Sequence, residues 1–210
     1  MSVTPYVSQS SPSKPSIVSR IWNAPPTFWL LLSLPAIPML GGFITGDYKH
    51  VLHPTGEFAA RFMIISMMLT PLMMLFPKVH FIRWLMKRRR YIGVAAFAYA
   101  MLHVAAFLLK EATLPKILEE ILEFKNLLGL AAVLIFLPLA LTSNTLSLRA
   151  LGPMWKFMQR FVYVAAIAVL AHWLLVSKDM GAAILHFAPL ALLELYRIGR
   201  NFKWWSFRFA

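Results

Sequence analysis

Two histidines stand alone in apolar sequence. His103 sits in Ala-Tyr-Ala-Met-Leu-His-Val-Ala-Ala-Phe-Leu and His172 in Ala-Val-Leu-Ala-His-Trp-Leu-Leu-Val, neither with a charged neighbour. An ionisable side chain inside a bilayer is expensive, so each is a functional candidate by default. A single histidine on an apolar face is ordinarily a packed, hydrogen-bonded one. Two at the same depth on facing helices can do more, because two neutral imidazoles across a bundle can ligate haem iron from both sides. Small residues near His103 (Ala98, Ala100, Ala105, Ala106) and before His172 (Ala165, Ala166, Ala168, Ala171) leave room for a flat macrocycle. The same alanines equally permit close helix packing.

The elements that must position this pair follow from composition. The chain has 210 residues, 60% hydrophobic and only 14% charged. A soluble domain of that size cannot cover so much apolar surface, so the excess must face lipid. Six apolar stretches run roughly over Thr27–Gly46, Phe58–Phe76, Ile92–Leu109, Asn126–Thr142, Phe157–Val176 and Met180–Tyr196. Each is near the ~20 residues that cross a hydrocarbon core of about 30 Å. Spanning segments satisfy their backbone internally, so these are helices. The fold expected is an all-α membrane protein, a six-helix bundle over residues 23–200. A Ser/Pro-rich segment, 1–22, reads as a disordered cytoplasmic tail. An aromatic and cationic piece, 201–210, reads as an interfacial C-terminal tail. Pro115–Lys125 sets Ile117, Leu118, Ile121 and Leu122 against Glu119, Glu120 and Glu123, an amphipathic turn or two at the outer interface.

Charge sets the orientation. Of the 21 Lys and Arg, fifteen fall on one side of a six-span topology: Lys14, Arg20, Lys78, Arg83, Lys87–Arg90, Arg149, Lys156, Arg160, Arg197, Arg200, Lys203 and Arg208. The positive-inside rule then makes both termini cytoplasmic. The net charge of +13 is thereby a topology signal, and nucleic-acid binding is set aside. In that topology the third and fifth helices both run outward. His103 lies twelve residues past Tyr91, about 18 Å, and His172 fifteen past Phe157, about 22 Å, so both sit level in the outer half. Absence of cysteine removes disulfides, iron–sulfur clusters and thiolate haem ligation.

Other candidates surround the pair. His186 lies early in the sixth helix, able to touch the same haem or to cap its pocket. His53, His50 and Arg61 lie at the outer end of the second helix, where haem propionates or a periplasmic partner would sit; solvated loop residues are the alternative. His80 falls in the cytoplasmic loop. The methionines of the second helix (Met63, Met67, Met74) follow helical spacing and read as packing. No phosphate-binding loop or dinucleotide glycine motif appears, so hydride chemistry belongs to another protein.

Several segments resemble the MsrQ family of haem-binding membrane subunits, within the ferric-reductase-like transmembrane superfamily. They are His53-Pro-Thr-Gly56 leading into Leu69-Thr-Pro-Leu72, Arg88–Gly93 with Tyr99-Ala-Met-Leu-His103, Leu139–Ser143, and Leu151-Gly-Pro-Met-Trp-Lys-Phe-Met-Gln159 through His172. The resemblance covers about Gly46 to Lys178. It implies a haem b electron-transfer subunit of a bacterial inner-membrane system, multi-pass, rather than the substrate-reducing enzyme. His103 and His172 would be the iron ligands, with His53, Arg61 and His186 as further cofactor contacts. Electrons would come from a cytoplasmic flavin reductase or the quinone pool, with FMN or quinone as a possible second carrier. They would leave to a periplasmic molybdopterin subunit that reduces methionine sulfoxide. One position departs from the family pattern: Gln159 stands where relatives have a histidine associated with a second haem, which puts that inner site in doubt. Two other functions remain on the residues alone: a stand-alone ferric or metal reductase, and a cofactor-free transport or structural membrane protein.

Overall fold

The structure, a computed structural model, describes residues 21–22, 24–177 and 180–206, the side chains of 203–206 excepted. The expected tail lies outside them but for Ile21 and Trp22, as do residues 207–210 of the C-terminal piece. From Pro25 onward the described residues form, in order, α1 Pro25–Ser33, α2 Ala36–Thr45, α3 Tyr48–Leu75, α4 His80–Glu111, α5 Leu114–Leu122, α6 Phe124–Leu141, α7 Thr145–Leu151, α8 Pro153–Gln159, α9 Val162–Val176 and α10 Met180–Ser206.

Among the described residues five spans are long and apolar enough to cross a membrane: α3, α4, α6, α8 with α9, and α10. The sixth is the pair α1 and α2, bent by 53°. Pro35 explains the bend, since its ring removes one backbone donor and crowds the preceding turn. Gly46 then ends α2 in the left-handed region, at φ 78°, where a side chain is disfavoured. The protein is thus an all-α, multi-pass membrane protein with a six-span bundle. Its outer surface agrees: Ile44, Ile167 and Leu185 are 85%, 70% and 72% exposed, which only lipid makes tolerable at this density.

Two helices run longer than hydropathy suggests. α4 begins at His80, so Arg83 and Lys87–Arg90 belong to its first three turns rather than to a loop. Leu, Met, Lys and Arg are all good helix formers, and at 32 residues α4 is about 48 Å long, longer than the hydrocarbon core. α3 likewise starts at Tyr48, ten residues before its apolar run. The amphipathic piece appears as α5, with Leu114, Leu118 and Leu122 exposed along one stripe. α3 packs along α4, α6 along α9, and α10 closes against α3. Below, the end carrying the cationic turns of α4 is called the basic end.

Candidate haem site

At the opposite end of the bundle, α3, α4, α6 and α9 part around a cavity of about 300 Å³. His103 projects from α4 and His172 from α9, and both line it. Their ring centroids are 6.3 Å apart and their planes cross at 81°. The two histidines, expected at matching depth, thus lie edge to face in one cavity.

Each ring is held through one nitrogen. His103 Nδ1 donates to the Leu52 carbonyl at 2.8 Å, and His172 Nδ1 donates to the Lys125 carbonyl at 2.6 Å. A carbonyl can only accept, so the Nδ1 atoms carry the protons and the neutral rings present bare Nε2 lone pairs. No protein hydrogen bond reaches either Nε2 among the described residues. This is the tautomer a metal-ligating histidine adopts, oriented by a partner on its other nitrogen.

The spacing fits one metal between the rings. A metal–imidazole bond of about 2.0–2.1 Å and a ring radius of about 1.15 Å put the centroids of two opposed ligands about 6.4 Å apart. Among the described residues no three His, Cys, Asp or Glu side chains converge on a metal position. Two imidazoles alone leave most of an ion's coordination unfilled, whereas a porphyrin supplies four nitrogens of its own. The walls suit one: Ala100, Val104, Ala132, Val133 and Val169 are apolar and small, while Lys49, His53 and Glu57 put polar groups at the mouth. Of the alanines expected to make room, Ala100 lines the cavity, while Ala106, Ala165 and Ala166 are buried in helix packing.

The remaining candidates separate. His53 lines the cavity. Arg61 and His186 stand behind its wall and bind each other, Arg61 Nε donating to His186 Nε2 at 3.1 Å. His186 Nδ1 donates to the Ala182 carbonyl at 2.7 Å, so both its nitrogens are engaged. Arg61 also pairs with Glu57, and the His186 ring lies 5.3 Å from that of Trp173, the neighbour of His172. His50 is exposed and hydrogen-bonds Asp47, holding that carboxyl below its ordinary range. His80 opens α4 at the basic end, beside Trp84 and Arg88. Gln159 ends α8, where Nε2 donates to the Leu139 carbonyl at 3.1 Å and to Thr142 Oγ1 at 3.4 Å. Arg160 and Phe161, both in right-handed helical conformation, join α8 to α9, and the two run as one span from Pro153 to Val176 that carries Gln159 and His172.

Residues 55–170 match the ferric reductase like transmembrane component. Over 204 residues the chain is 32% identical to the protein-methionine-sulfoxide reductase heme-binding subunit MsrQ of Rhizobium meliloti (strain 1021), covering 90% of each. The chain belongs to the MsrQ family. The MsrQ proteins of Brucella ovis and Brucella canis are each 29% identical over 186 residues, 83% of this chain and 82% of theirs. No solved structure matches. Within this MsrQ family chain, sequence reasoning found both histidines but missed what holds them. The carbonyls of Leu52 and Lys125 carry no residue-type signal. The glycines beside the rings, Gly56 and Gly129, carried a faint one: a glycine inside an apolar helix marks a close approach.

Proposed function

We propose that the chain is the membrane electron-transfer subunit of a methionine sulfoxide reductase system, holding one haem b between His103 and His172. The observation that carries this reading is the pair of bare Nε2 atoms on rings 6.3 Å apart in an apolar cavity. With no cysteine in the chain, the haem is held without thioether bonds. Haem supplies a one-electron couple, and ligation from both sides favours electron transfer over oxygen activation. The Leu52 and Lys125 carbonyls fix tautomer and ring direction, the apolar walls exclude water, and Lys49 and His53 offer positive or donor groups at the mouth for acidic cofactor edges. Arg61, with Glu57 and His186, braces the wall behind Trp173.

The basic end faces the cytoplasm of a bacterial inner membrane, as the cation bias favours. Electrons then enter from a flavin reductase or the quinol pool and leave to a periplasmic molybdopterin subunit; the names of the relatives support a methionine sulfoxide reductase as the acceptor. The absorption spectrum of the detergent-purified chain, expressed with haem available, is the test. A red protein with a sharp low-spin spectrum, beside a colourless His103→Ala/His172→Ala variant, is expected; a colourless wild type overturns the reading. The partner is tested by reduction of a methionine sulfoxide peptide, which requires the periplasmic subunit together with the reduced membrane chain.

A further inference from the structure

The two histidines are seated in the same way on two different helix pairs. His103 of α4 leans on α3, and a Cβ built on Gly56 would lie 2.8 Å from its Nδ1 and 2.9 Å from its Cε1. His172 of α9 leans on α6, and a Cβ on Gly129 would lie 3.0 Å from both of the same atoms. The carbonyl that takes each Nδ1 proton belongs to the residue four before the glycine, Leu52 in one case and Lys125 in the other. Residues four apart share a helix face, so carbonyl and glycine form one docking spot a single turn long. The carbonyl fixes one edge of the ring, and the bare glycine backbone limits how the ring can turn about that bond.

We propose that Gly56 and Gly129 are positioning residues, ring seats that together set the two axial imidazole planes nearly perpendicular. The inference rests on the haem reading and adds to it a geometry, the 81° crossing, that haem binding alone does not require. A methyl group at Gly56 forces the ring to move, and at Gly129 the ring must give by a few tenths of an ångström. What it meets is not the free end of a flexible side chain but a ring already tied to a carbonyl, so the ring must shift. The shorter contact at Gly56 makes that seat the stricter one. Gly93 gives a control on the same helix as His103: a Cβ there meets only Ser66 Oγ at 3.6 Å, an ordinary contact.

Ring planes can be read directly in the ferric protein by low-temperature electron paramagnetic resonance. Perpendicular imidazoles leave two iron d orbitals almost degenerate and give a strongly anisotropic low-spin signal; co-planar ones split them and give a rhombic signal. The full-length holoprotein is expected to show the anisotropic signal. Gly56→Ala is expected to move it toward the rhombic type or to lower haem per chain by roughly tenfold at unchanged helicity. Gly129→Ala does the same more weakly, and Gly93→Ala leaves signal and haem content as in the wild type. A rhombic wild-type signal overturns the proposal, and so do seat variants that keep both the wild-type signal and the haem content. Should the alanine variants not fold, the wild-type signal still decides. A wild type without haem removes the haem reading itself, an outcome distinct from a haem protein with co-planar rings.

Discussion

Removing one hydroxyl group tests how the bent first span is tied to the haem helix. Tyr99 is 3% exposed, and its hydroxyl donates to the Leu32 carbonyl at 3.0 Å. In an unbroken helix Ala36 would donate to Leu32 directly, four residues back. The bend at Pro35 opens that bond, and the Tyr99 hydroxyl takes the place of the missing donor to the Leu32 carbonyl. Tyr99→Phe keeps the ring against Phe58 and Phe62, at 5.8 and 5.3 Å between centroids, so packing is nearly untouched. The Leu32 carbonyl then loses its donor. An orphaned buried polar group costs about 1–3 kcal/mol, while hydrogen bonds in membrane bundles average about 0.6 kcal/mol with a maximum of about 1.7. Because Leu32 and Ala36 can partly rejoin, we expect a loss of about 1–2 kcal/mol, which for a chain of this size is a fall of roughly 2–8 °C in Tm. Thermal unfolding in detergent reads the loss, and hydrogen exchange at the Ala36 amide reads its location. An unchanged Tm with unchanged exchange at Ala36 would refute the bridging role.

Three further outcomes follow from the site. His103→Ala and His172→Ala should each abolish the six-coordinate low-spin spectrum, because one haem needs both; a single variant that keeps half the haem with an unaltered spectrum would mean two sites. Gln159→His should leave the pyridine haemochrome at one haem per chain, since the side chain there points at the Leu139 carbonyl and Thr142. Arg61→Met strands Glu57 and His186; with side chains 35% and 20% exposed in the Arg61–Glu57 pair, solvent screening keeps the coupling near 1 kcal/mol, measurable by a double-mutant cycle with Glu57→Gln.

The six spans were legible because lipid imposes a length and a composition on each of them. The 53° bend of the first span follows from Pro35, whose ring interrupts the helix. Helix ends were less legible: hydropathy stops where charge begins, yet His80–Arg90 and Tyr48–Glu57 remain helical past the apolar boundary, since cations and carboxylates are tolerated on a helix in the headgroup region. The histidine pair could be read because depth is a matter of counting along a helix. What holds the pair could not. Leu52 bonds a residue 51 positions away and Lys125 one 47 away, both through backbone atoms, and no periodicity links helices that far apart. Arg61 and His186 looked like cofactor contacts for the same reason, their depth being right; only the packing of α10 against α3 turns them toward each other.

Where the cavity stops also bears on how electrons reach it. Its lining reaches no farther toward the basic end than Ala60, Ala100, Phe136 and Val169. Beyond those residues Met63, Met67, Leu69 and Ile92 are fully or nearly fully buried and fill the space between α3 and its neighbours. The cavity opens at one end, where Ala60, Ala100 and Ala132 line it, and at the other end bulky side chains close the bundle. From Arg90, the last of the cationic run, to His103 is thirteen residues along α4, about 20 Å. A soluble reductase docked on the basic end therefore stands about 20 Å short of the iron position, and needs a smaller carrier to close the gap. In vesicles carrying the holoprotein, reduction of haem by an impermeant donor added at the basic end should be slow alone and accelerate when a quinone or a flavin is supplied. Reduction that is equally fast without either would mean that the gap is already bridged within the chain, and that the packed inner half conducts better than its apolar filling suggests.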